Sequence, residues 1–175
     1  VHAFSTQFYA HLARGNDIQR WTAPAKCDHL DENGNATVFG ADIVVIPIHL
    51  PNHWTLGVID MKRKTVEYYD PFYTKNGNFF TLILRWLEKE SDIRGWTFNR
   101  QEWSLVHGVV APPQPPSNVV DCGILALWCA ITRCRNVSFV VPTHESTLTV
   151  RTRLRDNRTM DLADSSWAYS VADTT

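Results

Sequence analysis

Apolar and polar residues alternate along this chain with periods that change from segment to segment. Phe4, Phe8 and Leu12, with Tyr9 and Ala10 beside them, share one helical face and predict a short helix over Phe4–Leu12. Gly15–Asn35 is polar and turn-rich, with Pro24 and Asn33-Gly34-Asn35, and predicts a loop. Ala41–Leu50 is rich in β-branched residues and predicts a buried strand. Two more strands are expected at Trp54–Asp60 and Lys64–Tyr69, joined through the charged tip Met61-Lys62-Arg63-Lys64. Pro71–Asn78 reads as loop. Phe79, Phe80, Leu82, Ile83, Trp86 and Leu87 form a helical stripe within Phe79–Glu90. Trp103–Val110 is expected to be a strand, and Ala111–Ser117, with four prolines, irregular. Asp121–Arg135 carries the strongest helical pattern, and Thr143–Arg158 is expected to be helical in part. No internal repeat is present. Strands grouped first, with helices flanking them, predict an α+β domain.

Composition adds bounds to this pattern. The 175 residues fit one domain, 1–175, with a chain start at Val1 that points to truncation at the N-terminus. Hydrophobic residues at 44% and charged residues at 20% suit a folded domain with a sizeable core. A net charge of −1 argues against nucleic acid or an anionic membrane as the main partner. Runs such as Ile43–Leu50 are too short to cross a bilayer, and no signal-peptide pattern opens the chain. Cys27, Cys122, Cys129 and Cys134 lack zinc-finger spacing. They are expected to be free thiols of a reduced, intracellular protein, and a monomer is the default.

Two segments carry candidate chemistry. If the hairpin closes symmetrically about the Met61-Lys62 peptide, Val58 faces Thr65, Trp54 faces Tyr69 and His53 faces Asp70. Residues directly opposite in an antiparallel pair hold their β-carbons about 4.5–5.5 Å apart. A carboxylate there orients the imidazole and supports its cation. A surface His near a surface Asp is the plain alternative. The second segment is Asp121-Cys122-Gly123. Asp121 is expected to cap the helix, which sets Cys122 in the first turn, where backbone N–H groups and the helix dipole favour a thiolate. Gly123 leaves room for a substrate backbone, whereas a small buried hydrophobe at a helix start is the bland reading of Cys122. Cys129 and Cys134, further along the helix, are expected to be structural. Attack on an amide also needs donors for the oxyanion. The Cys122 N–H is one, and the side chain of Gln114, in the proline-rich loop, is the candidate for the other.

These blocks resemble the Ulp and sentrin-specific protease family, cysteine proteases related to adenovirus protease. Pro47-Ile48-His49-Leu50-Pro51-Asn52-His53-Trp54-Thr55-Leu56 resembles the family's histidine block. Val66-Glu67-Tyr68-Tyr69-Asp70-Pro71 resembles its aspartate block, and Gln114, Asn118 and Asp121-Cys122-Gly123-Ile124 resemble its glutamine and nucleophile block. The order His, Asp, Cys matches as well. The resemblance implies an adenain-like cysteine protease fold: a mixed central sheet flanked by helices, with the nucleophile at a helix N-terminus. It implies hydrolysis after the C-terminal glycines of a ubiquitin-like modifier such as SUMO or ubiquitin, with such modifiers and their conjugates as partners. By position, His53 is the base, Asp70 its orienter, Cys122 the nucleophile and Gln114 the oxyanion donor. Trp54, Gly123 and Asn118 are the candidate substrate-binding residues, Trp54 resembling the tryptophan that packs over the modifier's Gly-Gly tail. His49 is read as a strand residue. No metal or organic cofactor is called for, because a thiol supplies the covalent chemistry.

Two departures stand out. The family's glutamine falls six residues before the cysteine; that position is Pro116 here, and Gln114 lies two residues further back. The family's early N-terminal tryptophan is not visible before Phe4. The sequence is also compatible with two other functions. One is acetyl transfer, as in bacterial effectors that use the same three residues, with action inside a host cell rather than in the nucleus or cytoplasm of the protein's own cell. The other is a non-catalytic module that binds a modifier.

Overall fold

In the computed structural model, residues 1–108, 114, 118, 120–136, 148, 151 and 152 are described. Among these residues the principal helices and strands are, in order, β1 (His2–Ala3), α1 (Gln7–Ala13), β2 (Ile43–Leu50), β3 (His53–Asp60), β4 (Thr65–Tyr69), α2 (Gly77–Arg94), β5 (Ser104–Gly108) and α3 (Cys122–Arg135). The strands form one sheet in the order β1-β2-β3-β4-β5. β2, β3 and β4 are antiparallel neighbours, while β1 and β5 join the two sides in parallel. This is the α+β arrangement expected from the pattern, with the mixed sheet that the family resemblance implies.

Helices cover both faces of the sheet, which explains why its central strands read as nearly continuous apolar runs. Val44, Ile46 and Ile48 of β2, with Ile59, Val66 and Tyr68, pack into one core with Phe8 of α1 and Phe79, Ile83 and Leu87 of α2. Phe4 stacks on Phe8, and Trp86 meets both rings edge-on. Val45, Leu56 and Val58 point the other way, against Ala126, Cys129 and Ala130 of α3.

α2 is longer than its apolar stripe. Asn76 caps it by accepting from the Phe79 N–H at 3.0 Å, and Gly95, at φ 68°, ends it in the left-handed conformation that suits glycine. Arg94 pairs with buried Glu90 at 2.8 Å and donates to the Thr22 carbonyl at 2.8 Å, fastening the 15–35 region to α2. That region is mostly loop, as expected, with single 3-10 turns at Gln19–Trp21 and Pro24–Lys26.

The β3–β4 hairpin has a different register from the symmetric one. Leu56 pairs with Tyr69, Val58 with Glu67 and Asp60 with Thr65, so His53 and Asp70 are not directly opposite. The cause lies in the tip. Asp60 Oδ1 accepts the Arg63 N–H at 2.8 Å, and Lys64 adopts φ 52°, which together close a four-residue turn. The displacement is two residues, so every side chain keeps its expected face.

Buried charge joins β4 to α3. Glu67, 5% exposed, accepts two hydrogen bonds from Arg133, at 2.7 and 2.6 Å, one from Tyr69 Oη at 2.6 Å and one from Thr65 Oγ1 at 2.8 Å. Arg133 also reaches Asp60 at 3.3 Å. Burial opposes ionisation of Glu67, but these donors and the guanidinium charge outweigh it and hold the carboxyl below its ordinary range. Burial and the neighbouring Glu67 push the Tyr69 hydroxyl well up. The Tyr69 ring lies over Gly108 of β5 and leaves no room for a β-carbon there.

Candidate active site

His53 opens β3, and Asp70 follows the last residue of β4. Both side chains emerge on the same face of the sheet, and His53 Nε2 lies 2.7 Å from Asp70 Oδ1. The pair is well shielded, at 14% and 1% side-chain exposure. Asp70 is held from several directions. Its Oδ1 also accepts the Phe72 N–H at 2.8 Å, and Oδ2 accepts from Thr74 Oγ1. The Phe72 ring stacks on the imidazole, with centroids 4.7 Å apart and planes at 29°. An ionised Asp70 requires the hydrogen on Nε2, leaving Nδ1 as the acceptor. Nδ1 is buried and makes no hydrogen bond among the described residues. Phe72 and Thr74 were not anticipated; the spacing Asp70-x-Phe72-x-Thr74 is that of a side chain bonding its own following turn, the one signal that points to them.

Cys122 is the first residue of α3 and is 6% exposed. Gly123 rests against Trp54, the neighbour of His53: a β-carbon added at 123 would lie 3.4 Å from Trp54 Cδ1. The helix tip and the start of β3 are thus packed together through residues adjacent to the thiol and the imidazole. Trp54 is half-buried and also contacts the exposed His49 ring at 4.5 Å, consistent with His49 as a strand residue beside the site.

Asp121 occupies the cap position but does not cap. Its side chain accepts from none of the helix N–H groups. Instead Oδ2 accepts from Asn118 Nδ2 at 2.7 Å, and Oδ1 accepts from Arg151 at 2.6 and 3.1 Å. The expected cap is overturned because an arginine thirty positions later, and an asparagine in the preceding loop, take the carboxylate.

Gln114 is buried, its N–H donates to the Pro71 carbonyl at 2.9 Å beside Asp70, and its side-chain Nε2 donates to the Asn118 carbonyl. Asn118 spends its side chain within the loop, also accepting from the Val120 and Asp121 N–H groups at 3.2 Å. Gln114 is therefore docked beside the His53–Asp70 pair, with one amide hydrogen engaged in the loop. The rest of Ala111–Ser117, and all but Leu148, Arg151 and Thr152 of the expected helical segment Thr143–Arg158, lie outside the described residues.

All four cysteines are free thiols. Burial pushes the Cys129 thiol up to about 12 and that of Cys134 upward, as suits structural side chains. Among the described residues no group of three or more His, Cys, Asp or Glu could hold a metal ion, and no helix is long and apolar enough to cross a membrane.

The profile of the Ulp1 protease family, C-terminal catalytic domain, matches residues 1–162. A sentrin-specific protease of Caenorhabditis elegans is 33% identical over 129 residues, covering 72% of this chain and 17% of that protein. Sentrin-specific protease 2 of Homo sapiens is 31% identical over 146 residues, covering 79% of this chain and 23% of that protein. The chain thus spans roughly a fifth of the length of these curated relatives. Among solved structures, the C-terminal Ulp1 protease domain in complex with Smt3, the yeast ortholog of SUMO, is 26% identical with a TM-score of 0.59, covering 78% of this chain and 57% of that chain.

Proposed function

Because this chain belongs to the Ulp1 protease family, a family of cysteine proteases, we propose that it is a catalytic domain that cleaves peptide or isopeptide bonds after the C-terminal glycines of a ubiquitin-like modifier, with SUMO first among the candidates. The observation that carries this is the 2.7 Å His53–Asp70 pair beside a helix tip that begins with Cys122 and packs through Gly123 on Trp54. The relative solved with Smt3 bound supports the choice of modifier.

In this mechanism His53 Nδ1 takes the Cys122 proton while Nε2–H donates to Asp70, which stabilises the imidazolium. The thiolate attacks the carbonyl of the terminal glycine. The oxygen that becomes negative meets the Cys122 N–H and the unengaged amide hydrogen of Gln114. The tetrahedral adduct collapses as His53 returns its proton to the leaving amine, which is the lysine of an isopeptide or the next residue of a precursor. Water, deprotonated by His53, then hydrolyses the thioester and frees Cys122. Trp54 and Gly123 form a narrow slot that admits glycine and rejects side chains, and Asn118 shapes the loop that carries Gln114. The reduced thiols suit an intracellular place of action.

The test is a panel of ubiquitin-like modifiers carrying a C-terminal electrophile. One or more should form a covalent adduct with the protein, SUMO fastest, and the adduct should vanish in Cys122→Ala. Absence of any adduct, together with acetyl transfer from acetyl-CoA, would replace the hydrolase by a transferase. Tight modifier binding without adduct or turnover would leave a binding module.

A further inference from the structure

We propose that Arg151 is a positioning residue for catalysis: it draws the Asp121 carboxylate away from the N-terminus of α3, so that the backbone N–H groups there serve the Cys122 thiolate and the oxyanion rather than an internal cap. This rests on the assignment of Cys122 as nucleophile.

An aspartate immediately before a helix is the usual partner of the second and third helical N–H groups, here those of Gly123 and Ile124. Such a cap would set a full negative charge beside the sulfur and engage the donors whose partial positive charge favours a thiolate. The protein keeps Asp121 but turns it aside. The Arg151 guanidinium holds Oδ1 through Nε at 3.1 Å and Nη2 at 2.6 Å, and Nη2 also donates to the Val120 carbonyl. Asn118 Nδ2 holds Oδ2 at 2.7 Å. Asp121 is 5% exposed, so its charge is met by protein partners, these among them, rather than by bulk water.

Among the described residues, the charged groups bonded together at the helix tip are Asp121 and Arg151, and the titratable group on β3 is His53, paired with Asp70. Arg151 acts on Cys122 through Asp121, and the predicted consequence of losing it is specific. Asp121 would swing to cap the helix, and a like charge would then oppose thiolate formation.

The experiment is the pH dependence of iodoacetamide alkylation, read by mass spectrometry at Cys122 and at Cys134, in the wild-type protein and in Arg151→Gln, Arg151→Lys and Arg151→Gln/Asp121→Ala. Arg151→Gln should raise the midpoint for Cys122 by about one pH unit and slow adduct formation with a modifier electrophile by about tenfold at neutral pH. Arg151→Lys, which keeps the charge without the two-pronged grip, should fall between. Removing the carboxylate as well, in the double variant, should return the midpoint to within about 0.3 of wild type. An unmoved midpoint in both single variants, or a double variant no better than Arg151→Gln, overturns the proposal. Wild-type Cys122 reacting no faster than Cys134 across neutral pH would instead overturn the assignment of the nucleophile.

Discussion

The two ends of α3 are fixed to the sheet by opposite means. At the C-terminal end, Arg133 grips buried Glu67 with two charge-assisted hydrogen bonds and reaches Asp60. At the N-terminal end, contact with β3 is a glycine laid against an indole, and the nearby carboxylate of Asp121 is turned aside. The first end is saturated with partners. The second carries the thiol, backbone donors and imidazole nitrogen to which the proposed mechanism assigns the chemistry. The anchor of the helix thus lies at the end away from the proposed chemistry.

Substitutions should separate the two ends. Cys122→Ala and His53→Ala are expected to abolish turnover of a modifier fusion, while thermal unfolding stays within a few degrees of wild type. Asp70→Asn, which favours the wrong imidazole tautomer, should slow turnover by about 10³–10⁴-fold. Loss of fold in any of these would erase the distinction between the ends. Arg133→Ala should do the reverse. Leaving Glu67 buried and unpaired should cost about 3–5 kcal/mol in a denaturant titration, with turnover per folded molecule retained. Gln114→Ala is expected to lower kcat about 10²–10³-fold if its amide stabilises the oxyanion; an unchanged kcat removes it from that role.

Acid sharpens the comparison further. The Glu67 carboxyl is held below its unfolded range, so its contribution to stability is complete above the unfolded pKa and is lost as pH falls through the folded one. Glu67→Gln should therefore flatten the acid limb of stability against pH, measured by chemical denaturation at pH 3–6. The smallest effect is expected at Cys129. With its thiol pushed up to about 12 and 1% exposed, it should resist alkylation in the folded protein at pH 8 and react once the chain is unfolded.

Much of this was legible in sequence because its causes are local. β-Branched runs and helical stripes located β2, β3, β4, β5 and the major part of α2 and α3. The full length of α2 was also written locally, in Asn76 and Gly95. His53 and Asp70 share a face even in the wrong register, because a shift of two residues preserves side-chain parity. What was misread depends on distant partners or fine turn geometry. The Asp60 carboxylate and the left-handed Lys64 set the hairpin tip. Arg151 takes the carboxylate from the cap position, and nothing near Asp121 announces it. Glu67 reads as one polar residue in a strand until Arg133 is brought across from α3. β1, two residues long, is too short to have a period.

The bare backbone at Gly108 gives the outermost strand a remote influence. The Tyr69 ring fills the space above it, and the Tyr69 hydroxyl is one of the donors to Glu67. A single methyl group at 108 would collide with that ring, displace the phenol and slacken the grip on Arg133. A position far from that ion pair would then loosen, by mechanical leverage through the sheet, the end of α3 that the pair anchors.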